Sequence, residues 1–105
     1  KIEKVLLCLD EAITVSAKKV GVRPATRLQL SVLYAIVRLQ PCRNISIYNY
    51  LSKHKPDISP VTVSTSLQYL EKQGLILRSL QSFSISPLGR EYLSRIRKYL
   101  LNKRL

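Results

Sequence analysis

Six side chains between Ile58 and Ile76 define the chemistry this chain can offer: Val61, Thr62, Ser64, Thr65, Gln68 and Lys72. In a helix, Val63, Leu67 and Leu70 recur at spacings of four and three and form a buried stripe, which leaves those six facing outward. Exposed helix surfaces are usually dressed in Glu and Lys, and Ser and Thr are mediocre helix formers, so helix stability does not account for the choice. Hydroxyls, methyls and one carboxamide suit the edges of base pairs instead. Gln68 can pair with adenine through two hydrogen bonds, and the methyls of Val61, Thr62 and Thr65 can meet thymine methyls. The expected base-reading set is therefore Val61, Thr62, Ser64, Thr65 and Gln68, facing a site rich in A·T.

Charge surrounds this face without occupying it. The 105 residues carry 18 Lys and Arg against 6 Asp and Glu, a net charge of +12. A small domain stays soluble with a net charge of about 2–8, so a polyanionic partner is implied. Residues 59–86 contribute only +1, whereas residues 27–58 contribute +4 and residues 87–105 contribute +5. Affinity for double-stranded DNA is expected from phosphate contacts by Arg43, Lys53, Lys55, Lys72 and Arg78, with the hydroxyls and helix-start N–H groups at Ser46 and Ser59.

The elements that must position these groups follow from punctuation. Ser59 caps and Pro60 opens the proposed reading helix, 60–73, and Gly74 ends it. Upstream, Ile2, Val5, Leu6, Leu9 and Ile13 form the apolar seam of a first helix over 2–19. Thr26 caps a second helix, 27–40, apolar on nearly every side and so central. Pro41 stops it. Ile45 suits an isolated strand residue, and Ser46 is expected to cap a short third helix, 47–54, with Ile47 and Leu51 inward. Downstream, LILRSLQSFSIS reads as a hairpin of residues 75–80 and 83–86. Ser86 and Pro87 then begin a last helix, 87–102, striped by Leu88, Tyr92, Leu93, Ile96, Tyr99 and Leu100.

This order resembles the winged helix-turn-helix fold, and within it the MarR and PadR type of bacterial transcription regulators. The likeness is carried by Ile47 to Leu51, by Ser59 with Thr62, Val63 and Ser64, by Leu70, Glu71, Gly74, Leu75 and Ile76, and by Pro87, Leu88 and Gly89. It covers roughly residues 27–93. The resemblance implies one domain, mainly α with a small β-hairpin: a helix-turn-helix at 46–73, a wing at 75–86, and flanking N- and C-terminal helices. Two departures stand out. Thr65 occupies a position where such families often carry arginine, and the wing tip Leu80, Gln81 and Ser82 has only Arg78 as a nearby cation, so a deep minor-groove contact by the wing is not expected.

Helix-turn-helix dimers match palindromic sites, and symmetric dimers are the commonest oligomers. A homodimer is expected through residues 1–19 and 87–102, by way of Ile2, Val5, Leu6, Leu9, Ile13, Tyr92, Ile96, Tyr99 and Leu100. The rival expectation is that these helices fold back on their own domain. No paired carboxylates, nucleophile with a base, or glycine-rich phosphate loop marks an enzyme. Cys8, Cys42 and His54 do not make a zinc site, and neither a metal nor another cofactor is expected. With no apolar run near the ~20 residues of a membrane span and no signal peptide, a cytoplasmic protein without membrane contact is expected. Two alternatives share these features: a winged-helix module that binds a protein, and a replication or mobile-element DNA-binding protein. A small-molecule effector is left open.

Overall fold

The computed structural model describes residues 2–103, with side chains from Leu7 to Lys103. Three of its helices start on the hydroxyls marked by the sequence. Thr26 Oγ1 accepts the Gln29 N–H at 3.1 Å while Gln29 Oε1 accepts the Thr26 N–H at 3.0 Å, a closed capping box at the start of α2 (Arg27–Leu39). Ser59 accepts from the Thr62 N–H at 3.1 Å ahead of α4 (Pro60–Lys72), and Ser86 from the Gly89 N–H at 3.0 Å ahead of α5 (Pro87–Asn102). Both of these helices carry proline at the first position, where no donor is lost. The remaining elements are α1 (Ile2–Val20), α3 (Asn44–Ser52), β1 (Ile76–Ser79) and β2 (Ser82–Ile85).

The architecture is a winged helix-turn-helix, mainly α, with a two-stranded antiparallel hairpin and a helix at either end. α2 is central: Leu30, Val32, Leu33, Ala35 and Ile36 are buried, and the helix packs on α3, α4 and β2. The hairpin pairs Ile76 with Ile85 and Ser79 with Ser82, leaving Leu80 and Gln81 as the turn. The strands begin and end within a residue or so of the expected positions. Cys42 bridges to Phe83 through two backbone bonds of 3.1 and 2.7 Å, so β2 lies between Cys42 and β1. The isolated strand residue is thus Cys42, not Ile45.

That bridge corrects the start of the third helix. The chain leaves Phe83 in extended form, still extended at Arg43 (φ −93°, ψ 164°), and α3 begins directly at Asn44. Ser46 therefore lies inside the first turn, exposed, and is not the cap. Arg43 occupies the cap position without a side-chain bond to the helix.

After α4, Gly74 takes φ +79°, the left-handed conformation that favours glycine, and Leu75 N–H turns back to Leu70 C=O at 3.0 Å. The exit is then locked to α5. Ser86 Oγ donates to Gly74 C=O at 2.6 Å, Ser86 N–H to Leu75 C=O at 3.1 Å, and Gly89 packs so closely that a Cβ there would lie 2.2 Å from Leu75 O.

The terminal helices pack on each other within the chain. Ile13, Tyr92 and Ile96 are at most 2% exposed, and the Tyr92 hydroxyl accepts the Ala25 N–H at 3.1 Å. These three side chains are core, which corrects their assignment to a dimer seam: each is buried within its own chain. Leu9, Tyr99 and Leu100 are half-buried against this core. Ile2, Val5 and Leu6 lie outside the described side chains.

Candidate nucleic-acid interface

The outer face of α4 divides into two classes of side chain. Val61, Thr65, Gln68 and Lys72, spaced by four, three and four residues, form one exposed stripe, with Val61 73% exposed. Thr62 and Ser64 are half-buried and engaged within the protein. Thr62 Oγ1 and the cap Ser59 Oγ share a hydrogen bond of 2.8 Å, and Ser64 Oγ accepts from Asn44 Nδ2 at 2.7 Å. Thr65 Oγ1 donates to Val61 C=O at 2.9 Å, which leaves its methyl and a lone pair outward. The face therefore offers methyls, one carboxamide and one ammonium more than it offers hydroxyls.

Asn44 is the positioning residue that spacing did not reveal. Its bond to Ser64 fixes the start of α3 against the middle of α4. An asparagine one residue from a helix start ordinarily reads as a local turn former, and nothing in the sequence marks a partner 20 residues away.

Lys72 ends the stripe, and the other cations flank α4 along the chain. Arg43, Lys53, Lys55, Lys72 and Arg78 are exposed, as is Ser46, while Ser59 is half-buried in its cap. Arg43 stands at the start of α3, Lys53 and Lys55 lie in the turn between α3 and α4, and Lys72 is in the last turn of α4, where the helix dipole favours a positive charge. Arg78 is braced: its Nε lies 3.7 Å from Glu71 Oε1, and its guanidinium stacks 5.0 Å from the centre of the Phe83 ring. Beside them opens a hollow of about 380 Å³ lined by Arg43, Asn44, Ile45, Arg78, Leu80, Gln81 and Phe83. No carboxylate lines it. Of the exposed large apolar residues, Ile45 at 59% and Leu80 at 94% border this hollow, and Leu77 at 52% is on the adjoining strand.

The Arg27 guanidinium, bonded to both Asp10 oxygens at 3.0 and 2.6 Å, holds that carboxyl below its ordinary range, and burial pushes the Cys42 thiol up. Among the described residues no three His, Cys, Asp or Glu side chains gather where a metal could be held, and no helix is long and apolar enough to cross a membrane.

In fold the chain is similar to the activation domain of the phage T4 transcription factor MotA, with a TM-score of 0.72 over 91% of this chain and 93% of that one, at 14% identity. At that identity the likeness is one of fold. No family model matches the sequence, and no curated protein matches it.

Proposed function

We propose that this chain is a double-stranded DNA-binding module with a role in transcription, acting as a dimeric regulator of MarR and PadR type. The observation that carries the reading is the exposed stripe of Val61, Thr65, Gln68 and Lys72, with a single charge among four, on a doubly marked helix in a chain of net charge +12. An α-helix fits the major groove, where Gln68 faces adenine and the Val61 and Thr65 methyls face thymine. Thr62 and Ser64 hold the helix in place and contribute less to readout. Arg43, Lys53, Lys55, Lys72 and Arg78 bind phosphates, and the exposed Ser46 offers a further hydroxyl.

The reading is tested by titrating random-sequence and A·T-rich duplexes with protein at two salt concentrations and following fluorescence anisotropy. Log K is expected to fall with log salt at about 0.9 per neutralised phosphate, and Arg43→Ala to lower that slope by about one. Gln68→Ala is expected to weaken A·T-rich sites by about tenfold and leave random duplexes nearly unchanged. A chain that binds no duplex at low salt, or binds with no salt slope, overturns the proposal.

A second reading, a winged-helix module that holds a protein partner, is favoured by the apolar exposure at Ile45, Leu77 and Leu80 and by the fold likeness to a domain named for activation. For the dimer, the exposed candidates are Leu7 at 67% and Leu101 at 65%, beside half-buried Leu9, Tyr99 and Leu100.

A further inference from the structure

Three cations gather where the terminal helices meet. Lys19, in the last turn of α1, and Arg95 and Lys98, on α5, line one hollow of about 170 Å³ together with Tyr99, Asn102 and the buried Ser16. The dipole of α1 favours a cation at Lys19. Arg95 and Lys98 have no such reason, since they lie in the body of α5, three residues apart, where like charges repel. Among the described residues no carboxylate lines the hollow.

The described carboxylates of α1 and α5 are committed elsewhere. Asp10 is bound through both oxygens by Arg27, Glu11 accepts from the Tyr99 hydroxyl, and Glu91 Oε1 stands 3.7 Å from Arg95 Nη2, too far for a good hydrogen bond. Arg95 Nε is buried and finds no acceptor among the described residues. A buried donor on a charged group is costly to leave unmet. A fourth cation is close by, with Lys103 Nζ 5.3 Å from the centre of the Tyr99 ring. An occupant of the hollow must therefore be an acceptor and bring negative charge.

We propose that this hollow binds the phosphate group of a small phosphomonoester. Its three lining cations call for a compact anion with more than one charge, and its size admits a tetrahedral oxyanion while the rest of the ligand stays outside. The guanidinium supplies a directed donor at Nε, and the two ammonium groups act as point charges. A backbone phosphate of nucleic acid carries one charge and has chain on both sides, so it suits a buried donor less well. Held by Lys19 from α1 and by Arg95 and Lys98 from α5, the bound group ties the terminal helices together. This site is independent of the DNA reading, which rests on α4.

The test is thermal melting of the full chain in inorganic phosphate, methyl phosphate or dimethyl phosphate at pH 8, against chloride at equal ionic strength, with dissociation constants from phosphorus NMR line broadening. Inorganic phosphate at about ten times its dissociation constant is expected to raise the melting temperature by roughly 5 °C. Methyl phosphate is expected to act alike, and dimethyl phosphate, with one charge, to bind about tenfold more weakly. Arg95→Gln and Lys98→Gln are each expected to weaken phosphate binding about tenfold. Lys18→Gln removes the same charge from an exposed position outside the hollow and is expected to change binding by less than about twofold. A melting temperature that phosphate raises no more than chloride, equal losses for Lys18→Gln and Lys98→Gln, or a diester that binds as tightly as the monoester overturns the proposal. No duplex is present in these measurements, so such a failure leaves the DNA reading standing.

Discussion

Individual residues in this protein are held by contacts that spacing alone does not display. Gly89 is the clearest case, because the approach of Leu75 O and of Ile85 Cγ1, at 2.2 and 2.8 Å from where a Cβ would sit, leaves no room for a methyl. Gly89→Ala is expected to destabilise the fold by about 3 kcal/mol in urea unfolding, since backbone has to move to admit it. Its helical propensity argues the other way by about 1 kcal/mol, so a stabilised variant would disprove the close approach. Caps were legible one residue at a time: Thr26, Ser59 and Ser86 are hydroxyls followed by an apolar-periodic run, and each accepts the bond its position implies. Ser46 had the same appearance and is not a cap. Its place was decided by the bridge from Cys42 to Phe83, a contact 41 residues long that no local pattern encodes. The roles of Thr62 and Ser64 were hidden for the same reason, since their hydroxyls point to Ser59 and Asn44, and an outward heptad position does not tell whether a side chain folds back.

At the scale of elements, helix number, order and type were readable because periodicity changes sharply at Gly74, Pro41 and Pro87. What α1 and α5 do with their stripes was not readable, because an apolar seam is the same whether it meets a partner helix or its own chain. Between them, the Tyr99 hydroxyl donates to the Glu11 carboxylate, which holds the phenol up at about 12, with burial and the carboxylate charge adding to the effect. A phenol whose folded pKa exceeds its ordinary value of 10.0 stabilises the fold fully below pH 10, and that contribution is lost as pH rises toward 12. Thermal melts across this window are expected to show a smaller alkaline loss for Tyr99→Phe than for wild type, and a lower melting temperature for the variant at pH 7. Equal alkaline losses would rule out the link.

For the whole molecule, the exposed Leu7 and Leu101 belong to the paired terminal helices and the outward stripe to α4, so the proposed dimer through α1 and α5 would use elements other than α4. Light scattering is expected to give twice the chain mass for wild type and the single-chain mass for Leu7→Ser with Leu101→Ser, whereas a monomeric wild type would end the dimer proposal. The knot at Gly74, Leu75, Ser86 and Gly89 bears on how such a dimer would behave. It fuses the end of α4, the root of the hairpin and the first turn of α5 into one joint with almost no slack. Any change in the tilt of α5 must swing the hairpin and the exit of α4 along with it, as a crank turns a shaft. In a dimer of the kind proposed, the angle between the two subunits would then set the pitch and spacing at which both copies could engage a double helix together.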